Sequence, residues 1–557
     1  MGRSRLLSIG LLLFLLSWLL ADHYRPWSSF HSEAFSLAAL GCLFGGLLTS
    51  CRRLSVPPIS YLIIGLSTLP WLHLAFGLSP FLGDAVLATV YFLALFMATA
   101  YGHTCRREDA HRSWLGLAHA LWIAALVSSV IGLMQWLGLD ERLGVFAVQT
   151  DTGARAAGNL GQPNQLATLL LLGVAAIVFV YEKRIFDKVT LGIVSTVLSV
   201  ALVLTQSRVG IVSMLAVAGF LLWKQKSAEL RLSRRDIGFW VVGFSLGVVL
   251  LPALSEMLLL GGVRSLTATE SVSERLLIWK QAIYAIGQAP WFGYGWNQTP
   301  AANAVGAFAY PGSTTYTNAH NIVLDLMTWF GIPIGLALTG GMTYWLFSRL
   351  RMVQHPDAVL AMAGLIPIAV HSLLEFPFAY AYFLITAGVM IGVIEAAHTA
   401  VSQPQLARRW LWAVLILFMG AGSFAIYEYF LIEEDFRIAR FENLHVGETP
   451  PDYEIPRIRM LTHMGAMLKA TRQTIGPNMS KEALDDLAEA SERTLYGAIR
   501  FRYAQALALN GHQVEATRQM RIIRGMYGEH FYQACKDELS RLGQEKYPQL
   551  GFLTLTD

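Results

Sequence analysis

The chain has 557 residues, of which 54% are hydrophobic and 14% charged, against roughly 25% charged in soluble domains. That balance excludes a soluble globular enzyme and points to an integral membrane protein. A net charge of +4 over this length gives no ground for a nucleic-acid partner.

In chain order, thirteen apolar stretches are long enough to cross a bilayer core of about 30 Å at roughly 20 residues each, with leeway for tilt. They are about 6–21, 34–49, 58–78, 81–102, 114–138, 164–181, 188–205, 208–223, 237–253, 319–347, 358–375, 378–396 and 408–430. The first follows Arg3 and Arg5 in the manner of a secretory signal, but no small-residue cleavage site follows it, so it reads as a span.

Lys and Arg are retained in cytoplasmic loops and so set the orientation. With the amino terminus inside, 19 of the 42 basic residues fall on the cytoplasmic side, 7 on the opposite face before residue 431, and 16 in the tail. The inside set includes Arg52, Arg53, Arg106, Arg107 and the cluster from Lys224 to Arg235. The opposite set is Arg25, Arg142, Arg155, Arg208, Arg264, Arg275 and Lys280. An odd number of spans then carries everything after Phe430 outside, where a folded domain crosses regardless of its charge. Cys42 lies in a span, Cys51 and Cys105 inside and Cys535 alone outside, so no disulfide is predicted.

The expected organisation is a transmembrane bundle over 1–253, an outward loop over 254–318, a second bundle over 319–430 and a soluble helical domain over 431–557. The outward segment 139–163 contains "GARAAGNLGQPNQLA", rich in Gly and amides. The loop 254–318 is far longer than an ordinary connector, and such loops are usually functional. Within it, "SVSERLLIWKQAIYAIGQAP" offers Ser271 and Glu274 at capping-box spacing, followed by apolar residues at helical spacing. The spacing predicts an amphipathic helix lying on the membrane surface or packed on the bundle. It stops at Pro290, and "WFGYGWN" follows as a Gly-broken aromatic turn. In the tail, two helical patterns separated by "NGH" predict an antiparallel hairpin of tetratricopeptide type.

His320 and Asn321 stand at the doorstep of the tenth apolar stretch, "TNAHNIVLDLMTWFGI". A histidine there is either an interfacial or capping residue or a functional one. Arg208, in "LTQSRVGIV", lies between two spans with almost no loop on the same face. A charge held near hydrocarbon is costly and marks function by default, snorkelling to the interface being the alternative. Arg275 and Lys280 lie on the amphipathic helix. Guanidinium forks suit a pyrophosphate, and an imidazole suits removing a proton from a hydroxyl near neutral pH.

Asn159, Gln162, Asn164 and Gln165 either bond sugar hydroxyls or cap the next span, whose first turn Pro163 fits. His371 and Glu375, four apart, share one helical side either as a mutual pair or as substrate contacts. Tyr316 joins the candidate binding set, and Asp325 reads as a buried polar partner. No D-x-D or H-E-x-x-H occurs in the outward loops, and no P-loop or dinucleotide fingerprint is present, so neither metal nor cofactor is expected.

Five segments occur in order: "GNLGQPNQLA", "TQSRVG", "ERLLIWKQAIYAIGQAPWFGYGWNQ", "NAHNIVLDLMTWFGIPIG" and "HSLLEFPFAYAYF". Together they resemble the bacterial O-antigen ligase and polymerase superfamily, most closely the pilin-type, PglL-like protein O-oligosaccharyltransferases. The resemblance covers nearly the whole chain. It implies an all-α polytopic bundle of the GT-C-like glycosyltransferase class in the bacterial inner membrane. The active site and tail would be periplasmic, and the long loop would lid a cavity open to the outer leaflet. It further implies transfer of an oligosaccharide from undecaprenyl pyrophosphate to Ser or Thr of a periplasmic acceptor protein such as a pilin, without metal. In that scheme His320 is the general base, Arg208 and Arg275 neutralise the leaving pyrophosphate, and Asn321 positions His320. O-antigen ligation to lipid A core and glycan polymerisation share the same donor. A lipid-glycan transporter would instead string ionisable residues through the midplane of several spans, whereas here they gather on one face.

Overall fold

A computed structural model shows an all-α, multi-pass membrane protein. The structure describes residues 2–50, 53–107, 111–260, 263, 270–398, 405–444, 446, 449, 450 and 452–555. Cys51, Arg52 and Arg264 lie outside the described residues. The strands among those described are Arg53–Ser55 and Gln405–Ala407, paired antiparallel with Leu54 opposite Leu406.

All thirteen apolar stretches are helical. Nine of the described helices are long and apolar enough to cross a membrane, while Ser4–Ser17, Lys188–Leu204 and Pro356–Ser372 are shorter apolar helices. Arg208–Lys224 also has only 17 residues, about 25 Å of helix against a core of about 30 Å. The tenth stretch begins its helix at Ile322 rather than at 319, which leaves His320 just outside it.

The chain packs as two compact units, the first made of 1–66, 90–268 and 343–422, the second of 67–89, 269–342 and 423–557. In the first, the helix Pro163–Glu182 is buried along its whole length from Asn164 to Tyr181. A helix apolar on every side needs neighbours on every side. His111–Trp136, Lys188–Leu204, Arg208–Lys224 and Pro356–Ser372 supply them.

In the second unit, Glu270–Gln288 packs on Thr299–Ala309 through a buried face of Ile278, Ala282 and Ala285. Val272, Leu276 and Ile283 on its other apolar face are exposed. The expected Ser271 cap is not met, because Glu270 and Ser271 are already helical. The chain after Pro290 is stapled to the helix Ile322–Met352 where that helix breaks at Gly331. Tyr294 N and Gly295 N donate to Thr328 O and Trp329 O at 2.8 and 3.1 Å, and Ile332 N donates to Pro290 O at 2.7 Å. Gly293 and Gly331, at φ +69° and +75°, permit this approach, since a Cβ on either would lie 2.5 Å from the facing backbone.

The tail forms the expected hairpin, Gly497–Leu509 and Gln513–Glu545, turning at Gly511 with φ +86°. Ala504 and Leu507 pack with Met520 and Ile523 in its core. The tail is tied to the last apolar helix by Glu428, whose carboxylate accepts from the Arg459, Met460 and Leu461 amides at 2.6–2.9 Å. Arg472 adds an ion pair to Asp435.

Candidate active site

In the first unit a buried polar cluster surrounds the start of Pro163–Glu182. Gln162 is its N-cap, with Oε1 accepting from Gln165 N at 2.8 Å and Pro163 in the first turn. The other end of the Gln162 amide donates to Glu375 Oε2. Asn164 Nδ2 donates to Glu375 Oε1 at 2.5 Å, and His371 Nε2 lies 3.2 Å from Glu375 Oε2. Thr168 Oγ1 and His371 Nδ1 are 2.9 Å apart, and Tyr382 donates its phenol to Gln165 Oε1 at 2.8 Å. With His371 at 1% and Glu375 at 6% exposure, these polar groups satisfy one another, as burial demands.

The cluster reaches Arg208 through Ser207. Ser207 Oγ donates to Asn164 Oδ1 at 2.6 Å and, as N-cap, accepts from Gly210 N at 2.9 Å. Arg208 is therefore the first residue of a helix whose start is pinned to Asn164, and it is half-buried. Arg155 joins the same place, donating from Nε to Thr205 O at 2.9 Å. Asn159 is spent on backbone: its amide donates to Leu19 O and Phe146 O at 2.7 and 2.8 Å and accepts from Val148 N at 3.2 Å.

In the second unit His320 has φ +54°, the left-handed region, uncommon for a residue with a side chain. Both neighbours are anchored. Ala319 N donates to Asp325 Oδ1 at 2.7 Å, with Ala319 and Asp325 fully buried. Asn321 Oδ1 accepts from Val323 N and Leu324 N at 2.9 and 3.3 Å, capping Ile322–Met352. A residue held between two such anchors keeps a backbone it would otherwise leave.

One turn further along the helix from Asp325, Trp329 Nε1 donates to Thr299 Oγ1 at 2.8 Å. Tyr316 packs with Ile278, Ala282 and Ala319, and burial raises its phenol pKa well above the usual value. The buried core it shares joins the segment before His320 to the helix that carries Arg275 and Lys280. Lys280 Nζ lies 4.0 Å from the Tyr310 ring centroid, a cation–π contact. Arg275 is half-buried.

Comparison with known proteins bears on what these clusters serve. Residues 193–340 match the family described as O-antigen ligase, 156–179 the protein glycosylation ligase family, and 359–541 the C-terminal region of the virulence factor membrane-bound polymerases. Over 533 residues the chain is 28% identical to a general O-oligosaccharyltransferase of Acinetobacter baylyi, covering 93% of this chain and 91% of that protein. By these matches the chain is similar to the O-antigen ligase and polymerase superfamily. It is an enzyme, a glycosyltransferase, as the names of the relatives it matches state. Another relative from the same organism, a ComP-specific O-oligosaccharyltransferase, is 28% identical over 395 residues, 69% of this chain and 70% of its own length.

The superfamily matches cover every candidate. The ligase match holds Arg208, Arg275, Lys280, Tyr316, His320 and Asn321. The glycosylation ligase match holds Asn159, Gln162, Asn164 and Gln165, and the polymerase match His371 and Glu375. The structure brings Gln162, Asn164, His371 and Glu375 together and joins Tyr316, His320 and Asn321 through Asp325 and Ala319. Ser207, Thr168, Arg155 and Thr299 complete these clusters without having been singled out in the sequence. Ser207 carried a signal, a capping residue directly before an apolar helix. The other three join only through tertiary packing.

Proposed function

We propose that the protein moves an oligosaccharide en bloc from undecaprenyl pyrophosphate to a Ser or Thr hydroxyl of a periplasmic acceptor protein such as a pilin. His320 takes the hydroxyl proton as the oxygen attacks the anomeric carbon. The bond from that carbon to the diphosphate breaks, and the diphosphate leaves with the electron pair. Arg208 and Arg275 serve the growing charge on the leaving group, where fixed donors contribute most to rate. The buried bonds among Gln162, Asn164, Ser207, His371 and Glu375 hold the helix start at Arg208, and Asn159 braces the loop beside them. Lys280 and Tyr316 support the loop face that presents His320. The distribution of Lys and Arg supports an inner-membrane protein with a cytoplasmic amino terminus and a periplasmic tail.

The observation that carries this reading is the backbone of His320, held left-handed between Asp325-bound Ala319 and the capping Asn321. A merely interfacial histidine needs no such restraint. The test is reconstitution with lipid-linked oligosaccharide and, in parallel, a pilin and lipid A core. H320A is expected to insert and fold yet transfer no glycan. Normal transfer by a purified, well-inserted H320A overturns the assignment. The match of 193–340 to the O-antigen ligase family favours lipid A core as the second acceptor to test, and the acceptor that gains mass decides between the two.

A further inference from the structure

We infer that Arg493 and Asp84 are positioning residues for the His320 segment: through them and through Gly525, the helical tail holds residues 312–320 in the backbone that presents the imidazole. The inference rests on the transferase reading above for its kinetic readout, but not for its structural one.

All the residues concerned lie in the second unit. Arg493, at the end of the tail helix Lys481–Arg493, grips Asp84 with a two-pronged contact, Nη2 to Oδ1 at 2.7 Å and Nε to Oδ2 at 3.0 Å. Asp84 is 2% exposed. Its Oδ2 also accepts from Gln298 Nε2 at 3.0 Å. Gln298 immediately precedes the helix Thr299–Ala309. Thr299 Oγ1 accepts at 2.8 Å from Nε1 of Trp329, which lies one turn along the same helix from Asp325, and Asp325 holds the Ala319 amide next to His320. Buried polar contacts therefore lead from the tail to the helix turn whose Asp325 holds the residue before the imidazole.

A second attachment lies past the other end of the same helix. Gly312 N and Ser313 N donate to Gly525 O at 3.2 and 3.0 Å. Ala304 and Ala307 pack with Ile522 and Met526 of the tail. At Gly525 a Cβ would stand 2.5 Å from Ala307 O, so the two backbones meet with no room between them. Two attachments, before and after Thr299–Ala309, fix both where that helix sits and how it is turned. The segment running on to His320 starts from the second of them. A buried ion pair is weak evidence for stability, but removing one partner strands the other charge. Breaking this pair should release the loop side as well as the tail.

The test uses the full chain in lipid nanodiscs. R493Q and the near-isosteric D84N are compared with wild type and with R541Q, which breaks an exposed pair in the same tail. Hydrogen exchange at residues 312–320 is expected to quicken about tenfold or more in R493Q and D84N and to stay unchanged in R541Q. The turnover number for glycan transfer is expected to fall about tenfold or more with the KM for lipid-linked donor nearly constant, and R493K is expected to recover part of it. Exchange that quickens within the tail alone, or turnover in R493Q and D84N equal to wild type, overturns the inference. Wild type that transfers no glycan overturns the proposed function, while the exchange result still decides this one.

Discussion

Asp325 is the residue through which the His320 backbone is most directly testable. D325A removes the acceptor of the Ala319 amide in a site where both residues are fully buried. Stranding a buried N–H costs about 1–3 kcal/mol. The left-handed backbone of His320, at φ +54°, costs about 1 kcal/mol or more by itself and persists only where its surroundings over-determine it. With one anchor gone, His320 is expected to relax toward ordinary backbone angles and to occupy the competent geometry only part of the time. If 1–3 kcal/mol is expressed in positioning, turnover falls roughly 5- to 150-fold with the donor KM little changed. D325N keeps an oxygen facing Ala319 and is expected to stay within a few-fold of wild type. Steady-state transfer from lipid-linked oligosaccharide, on protein checked for monodispersity and thermal stability, reads both. A folded D325A with wild-type turnover would refute the claim that this carboxylate sets the imidazole.

In E375Q, an amide nitrogen replaces an oxygen that now accepts from Gln162, Asn164 or the His371 ring. The loss of one or two buried bonds is expected to cost about 1–3 kcal/mol, seen as a lowered melting temperature in detergent, and an unchanged melt would contradict the cluster. His463, in the tail, has its pKa lowered from 6.5 to about 4, chiefly by burial. Above pH 6.5 it is neutral whether folded or unfolded, and its contribution to stability is complete. As pH falls toward 4 the unfolded chain takes the proton first, so stability drops, by about 2 kcal/mol between pH 7 and 5. H463N is expected to flatten that part of the melting profile, and an identical slope in both proteins would count against a neutral buried imidazole.

The elements were legible because each is written locally. Apolar runs marked the spans, "NGH" marked the tail hairpin, and Pro163 after Gln162 marked a helix start that the structure caps as the residue types suggest. The helix beginning at Ile322 rather than 319 follows from Asn321, whose side chain is committed to capping. The Ser271 expectation failed because spacing alone does not fix which turn is first when helical propensity continues upstream. The partners of the site residues were not legible for a different reason. Glu375 meets Asn164 across 211 residues, and Arg493 meets Asp84 across 409. Neither periodicity nor motif encodes a contact made by packing helices from distant parts of the chain. The backbone of His320 likewise depends on Asp325 and on tertiary burial, which leave no mark on the residue itself.

The splice at Gly331 has a mechanical consequence. Residues 290–295 complete the backbone pairing of a membrane helix at its interruption, so they cannot hinge away as a free flap. Lifting them would strip the Tyr294, Gly295 and Ile332 amides of their partners, at about 1–3 kcal/mol for each that stays buried. In the proposed reaction, donor and acceptor therefore come and go with this seam closed.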